Sequence, residues 1–222
     1  MIILGIDPGL NVTGYGAITV GAGRIHPAPR KPRTSVRGGS TIPEGRFPEA
    51  TGFSPWGGVH VLTAGDIRPP RTHALAERLA FLYEALTALI ARTHPQSMVL
   101  ETVFTHERYA NTSTLMGHAR GMACLVAQQH HIPVIEYPPA RVKQSVTGHG
   151  AASKDQVARM VSQWIGEREA SWSFDATDAL ALAIAHAHMM RMRNAECGMR
   201  NRTRVRSEFR IPNSEFSLGG VS

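Results

Sequence analysis

The chain has 222 residues, 42% of them hydrophobic, which suits one core-bearing domain with appendages. Its two cysteines, Cys124 and Cys197, are too few for a disulfide framework and sit in no metal-binding pattern. The formal net charge of +7 invites a nucleic-acid reading, but Gly21–Gly58 carries six Lys/Arg against two Glu and Met189–Ser222 seven Arg against three Glu, leaving −1 for the rest. Charge therefore excludes little, and the case rests on local constellations.

Ile2–Asp7 reads as a buried strand, and Tyr15–Val20 as a second after a turn with Pro8, Gly9 and Gly14. Asp7 breaks the opening apolar run before it could serve as a secretory signal, and no stretch is long enough to span a membrane. A soluble cytoplasmic protein with no membrane partner is expected. Residues 23–57 are rich in Pro, Gly, Arg and Ser without periodicity, and read as a disordered insertion at a strand-to-strand turn. Val59–Ala64 resumes a strand. Leu75, Leu79, Leu82, Leu86, Leu89 and Ile90 recur at helical spacing, with the helix ending near His94-Pro95. Met98–Val103 is a strand, Thr114–His130 a helix and Pro133–Tyr137 a strand. Arg141–Val146 and Lys154–Ile165 follow as helices, the latter with Ser153 as N-cap. The last helix runs from Asp175 to about Met192. Residues 194–222, rich in Arg, Ser, Asn and Gly, read as a basic disordered tail. A strand meander followed by strand–helix–strand crossovers gives a mixed sheet with helices on its faces.

Four carboxylates punctuate this plan. Asp7 ends an apolar strand before Pro8-Gly9, where a turn-capping aspartate reads equally well. Glu101 lies among Val99, Leu100, Thr102 and Val103 and shares a face with its apolar i±2 neighbours, although an edge-strand glutamate is an ordinary alternative. Asp175 and Asp178 open the last helix; acids favour a first turn, but their spacing places both on one face. Ala176, Ala179, Ala181 and Ala183 would let that helix lie close to a sheet. With Asp7 and Glu101 on adjacent central strands, the four acids would converge, repel one another and take up protons. Divalent cations relieve such repulsion. An all-oxygen donor set favours Mg²⁺, with Mn²⁺ as a substitute, over zinc. Two cations roughly 3.5–4 Å apart suit phosphodiester hydrolysis.

The motifs carry a resemblance. Gly5-Ile-Asp-Pro-Gly9 with Thr13-Gly-Tyr-Gly16, Glu101-Thr-Val-Phe104, Gly117-His-Ala-Arg-Gly121, Val142-Lys-Gln144, Lys154-Asp-Gln-Val157 and Asp175-Ala-Thr-Asp178-Ala-Leu-Ala occur in the order of the RuvC family of Holliday-junction resolvases. The chain resembles that family over residues 1–20 and about 59–188. The resemblance implies an α/β, ribonuclease H-like fold: a mixed five-stranded sheet with helices on both faces, spanning residues 1–193 and interrupted at 23–57. It implies a homodimer that cuts four-way-junction DNA symmetrically and works with a RuvAB-type branch-migration complex. Asp7, Glu101, Asp175 and Asp178 match the family's metal-binding and catalytic positions. Lys143 and Lys154 match basic positions implicated in DNA contact and catalysis, and Phe104 an aromatic position that contacts bases. Arg120 could hold a phosphate, although any single such charge is more often a solvated one. Gly117 and Gly121 are explained by close helix packing. The insertion and the tail depart from the family pattern without touching a motif.

Three rivals remain at this point. An actin/sugar-kinase-type ATP-binding protein also begins with a strand–Asp–Gly turn, but needs a second phosphate loop in a longer chain. A catalytically idle DNA-binding module would not need all four acids. Another ribonuclease H-like nuclease, for instance one acting on RNA, differs in substrate geometry that sequence does not reveal.

Overall fold

The computed structural model describes residues 1–21, 58–102, 110–165 and 172–208, with backbone alone for 110–112 and 194–208. Residues 23–57, Phe104 and the end of the expected tail lie outside the described residues. The strands are β1 (Ile2–Asp7), β2 (Thr13–Val20), β3 (Val59–Ile67), β4 (Ser97–Glu101) and β5 (Val134–Tyr137). The helices are α1 (Leu75–Thr93), α2 (Ala110–Gln129), α3 (Pro139–Thr147), α4 (Lys154–Ile165) and α5 (Phe174–Glu208).

The five strands form one mixed sheet in the order β3-β2-β1-β4-β5. β1 pairs antiparallel with β2 and parallel with β4; β4 pairs parallel with β5, and β2 antiparallel with β3. The two-residue period splits β1 between faces. Leu4 and Ile6, with Met98 and Leu100 of β4, join Leu82, Leu86, Leu89 and Ile90 of α1 and Ala119, Ala123, Val126 and Ala127 of α2 in one buried cluster. Burying each large aliphatic side chain contributes about 1.5–3 kcal/mol. The other face of β1 presents Gly5 and Asp7.

That second face belongs to α5. A Cβ at Gly5 would land on the carbonyl of Ala179, one at Gly14 on the carbonyl of Asp175, and one at Gly16 on the Leu180 side chain. Gly5 and Gly16 are cross-strand partners, and Gly14 is the partner of Asp7. The glycines form a shallow track into which the alanine face of α5 sinks. Farther along, the Tyr137 hydroxyl of β5 hydrogen-bonds His186 Nδ1 at 2.8 Å. α5 thus crosses the sheet diagonally, its first turn over β2 and β3 and His186 over β5. α3 and α4 lie on the same side: Ser145 Oγ donates to the Ala185 carbonyl at 3.3 Å, and Trp164 Nε1 to the Val146 carbonyl at 3.1 Å.

The expected elements recur with shifted ends. β4 stops at Glu101, so the glutamate closes the strand instead of sitting inside it. Ser153 caps α4, with Gln156 returning a bond to the Ser153 N–H at 2.8 Å. Gly117 and Gly121 do not mark close helix packing: among the described residues, nothing lies within 4 Å of an added Cβ at either. α5 continues to Glu208, well past Met192. Ala195, Glu196, Met199 and the arginines that follow are good helix formers, which a reading centred on apolar periodicity overlooks. Residues Met1–His188 form one compact unit and Met189–Ser222 another; the site lies in the first.

Candidate active site

Asp7 and Glu101 end two parallel neighbours, β1 and β4, whose last printed pair is Ile6 with Leu100. Side chains at the next position project together, on strands about 4.8 Å apart. Ligand sites in such sheets open at the carboxyl ends of parallel strands. The turn after Asp7 is braced on two sides. The Thr13 hydroxyl donates to the Gly9 carbonyl at 2.7 Å, and Arg78 of α1 donates to the Leu10 carbonyl at 2.8 Å and to Asn11 Oδ1 at 2.9 Å.

Asp175 and Asp178 come from the first turns of α5, where Ser173 acts as N-cap. Its hydroxyl accepts from the Ala176 N–H at 3.0 Å and donates to Asp66 of β3. The Asp66–Ser173 bond, together with Gly14 beneath Asp175, sets where the two acids stand. Sequence reasoning missed both residues. Ser173 two places before an acid is a readable cap signal, but its partner lies 107 residues away.

The electrostatics place Asp7 under the influence of the other three acids. The Asp7 carboxyl is pushed up to about 7, first by burial, then by the charges of Asp178, Glu101 and Asp175, with Lys154 opposing. Burial and then Asp178 raise Glu101, while Lys143 and Lys154 pull it down. Asp178 is the main reason the Lys154 ammonium is raised, across a 3.3 Å ion pair in which Lys154 is 73% exposed. Among the described residues, no three of these acids close on one point as a finished cation cage. Asp178 is engaged by Lys154. The set nevertheless suits a hard divalent cation: every donor is a carboxylate oxygen, and such a cation would offset both the burial and the carboxylate repulsion that raise Asp7.

Lys143 and Lys154 both lie within electrostatic reach of Glu101. Arg120 is placed differently. Its guanidinium donates to the Glu101 carbonyl at 2.6 Å and forms an ion pair with Glu136 of β5, so it braces the end of β4. His186 and His188 hold Tyr137 and Ser145 respectively.

A family model described as crossover junction endodeoxyribonuclease RuvC matches residues 54–186. The chain belongs to the RuvC family. A curated RuvC from Halorhodospira halophila is 40% identical over 179 residues, covering 81% of this chain and 85% of that protein. One from Chlorobaculum parvum is 32% identical over 208 residues, covering 94% and 92%. Among solved structures, Thermus thermophilus RuvC superposes with a TM-score of 0.64 at 26% identity, covering 86% of this chain and 96% of that one. The same protein in complex with a Holliday junction substrate gives 0.65 at 26% identity. The fold is therefore that of RuvC, ribonuclease H-like, with the sheet and two-sided helices that the residues themselves predicted.

Proposed function

We propose that this RuvC-family chain is a structure-selective endonuclease that resolves four-way DNA junctions by paired phosphodiester hydrolysis in recombination and repair. The observation that supports the reading is that Asp7 of β1 lies within electrostatic reach of Glu101 of β4 and of Asp175 and Asp178 of α5, with Lys143 and Lys154 within reach of Glu101. Asp7, Glu101, Asp175 and Asp178 would hold divalent cations, Mg²⁺ with Mn²⁺ able to substitute. When bound, such cations supply Lewis acidity to the phosphoryl group, activate the attacking water and stabilise the departing oxygen.

The chain's own groups do the rest. Lys154, exposed beside Asp178, meets the phosphate as it enters and offsets its repulsion by the acids. Lys143 serves the same end near Glu101. Arg120, held by Glu136 and the Glu101 carbonyl, keeps Glu101 in place in addition to any phosphate it meets. Phe104, three residues beyond Glu101, takes a base near the crossover.

Symmetric cutting needs two sites related by a dyad, hence a homodimer. The outer face of α2, with Gly117, Gly121 and the 48%-exposed Leu125, supports a helix-to-helix approach between two copies. A RuvAB-type branch-migration complex is the proposed upstream partner. Among the described residues no helix is long and apolar enough to cross a membrane, and the cytoplasm is the proposed location.

The deciding experiment compares cutting of a four-way junction and a linear duplex of the same sequence, with Mg²⁺ and with a chelator. Paired nicks in the junction alone, lost on chelation, are expected. Equal cutting of the duplex, or activity in the chelator, would overturn the proposal. An ATP-handling role predicts nucleotide binding without junction binding in the same preparation.

A further inference from the structure

An exposed aromatic ring stands at the rim of the acid cluster. Phe174, the first residue of α5, is 63% exposed. Single apolar residues on a surface are ordinary, so exposure alone means nothing. Placement is what distinguishes this one. Phe174 and Asp178 stand at i and i+4 on α5, neighbours on one helical face with Cβ atoms about 5–6 Å apart. Helical side chains tilt toward the N-terminus, so the exposed ring stands on the Asp178 side of α5, one turn toward the helix start. On one flank Asp178 holds the exposed Lys154. On the other, the Ser173 hydroxyl binds Asp66, which accepts from Arg68 Nη2 at 2.6 Å, with Arg68 58% exposed. Two bonded groups, Lys154–Asp178 and Ser173–Asp66–Arg68, thus flank Phe174, which adjoins Ser173 in the chain and Asp178 across one helical turn.

We propose that Phe174 is a stacking platform for the base next to the cut phosphate, with Arg68 holding a phosphate of the same strand. This rests on the reading of the acid cluster as a DNA-cutting site. A strand approaching four carboxylates needs compensating cations on both sides of them, and Lys154 and Arg68 supply one on each. Arg68 uses Nη2 on Asp66, which orients the guanidinium and leaves further N–H donors for a phosphate. A ring between two phosphate-binding cations lies where an unstacked base of that strand would fall. Phe174 begins a capped helix seated on the sheet, so its backbone is already ordered before the strand arrives. Every base has a π-face, so the contact fixes the position of the strand without reading its sequence.

The test uses the full chain and a four-way junction with 2-aminopurine at one of the two positions flanking the cut, in EDTA so that the strands stay whole. With the unmodified protein, fluorescence at one position should change on binding. Phe174→Tyr should keep that change. Phe174→Leu, which retains apolar bulk and should melt like the parent, should lose it. Phe174→Ala should weaken junction binding by about 5- to 150-fold, the range for loss of one stacked base. Arg68→Gln should reduce the slope of log affinity against log salt by about one phosphate contact. An unchanged fluorescence response in Phe174→Leu, or parental affinity in Phe174→Ala, would overturn the proposal while leaving the nuclease reading intact. A parent protein that does not prefer the junction to duplex would instead overturn the reading beneath it.

Discussion

Replacing Asp7 by asparagine should make the folded protein more stable above pH 7 when no divalent cation is present, although it removes a central acid of the site. In the fold the Asp7 carboxyl keeps its proton up to about pH 7, against an ordinary value of 3.8 in the unfolded chain. Between those values the folded state binds more protons than the unfolded one. The favourable protonated state is fully available below about pH 4, and its contribution is lost as pH rises through 7. At about 1.4 kcal/mol per tenfold change in proton affinity, the cost of charging Asp7 has an upper bound of about 4 kcal/mol. Asp7 is only partly buried, and solvent screening brings the working figure to about 2 kcal/mol. For a chain of this size that corresponds to roughly 4–8 °C in Tm. Thermal melts of the parent and Asp7→Asn in EDTA should lie closest near pH 4, part progressively as pH rises, and differ by that amount at pH 8.5, the variant higher. Adding Mg²⁺ should narrow or reverse the gap, because the cation stabilises the parent by binding it. An Asp7→Asn protein no more stable than the parent at pH 8.5 in EDTA would refute the account of Asp7 as a strained, repelled carboxyl.

Three further outcomes follow from the same geometry. Glu101→Gln, Asp175→Asn and Asp178→Asn should each abolish junction cutting while leaving binding near parental, since affinity for phosphates comes from lysine and arginine; near-normal cutting by the Glu101 variant would remove it from the site. Ser173→Ala should lower stability by about 0.5–2 kcal/mol, as loss of an N-cap does, and should slow cutting more than it weakens junction binding. Gly14→Ala places a Cβ against the Asp175 carbonyl and must lift the start of α5. Overpacking of that kind costs about 1–3 kcal/mol. Cleavage of a junction at a temperature where the variant is fully folded should still fall sharply.

The periodicities made much of the fold legible. A short apolar run with isoleucines marked β1, an apolar stretch marked β4, leucines at helical spacing marked α1, and the alanines of α5 announced a helix that would lie close to something. The strand glycines Gly5, Gly14 and Gly16 supplied the other half of that contact, yet in the sequence they read as family motif letters, because a glycine does not say what approaches it. The four acids stood out as charges within or bordering apolar segments, where burial is costly without a purpose. Asp66 and Ser173 gave no such sign, since their bond exists only once β3 and α5 meet. Arg120 was visible as a charge, but its engagement with Glu136 depends on α2 lying over β5. Gly117 and Gly121 show the reverse error: the spacing suggested packing within one chain, whereas both face outward.

β2 and β3 close on each other at the end of the sheet opposite the acids. Val20 pairs with Val59, and the Gly21 N–H donates to the Gly58 carbonyl at 2.7 Å. Asp7 is opposite Gly14 at the other end of β2, about 20 Å away at the usual rise per strand residue. The ladder is zipped up to the point where the chain leaves it, so the residues between 21 and 58 are not needed to bring its ends together. Lengthening a loop whose ends are already held costs little, because closure entropy grows only logarithmically with length. This corner of the molecule is therefore an open port for genetic change. Chain can be gained, lost or exchanged there, by evolution or by an engineer adding a reporter, because its attachment points are held by the sheet itself.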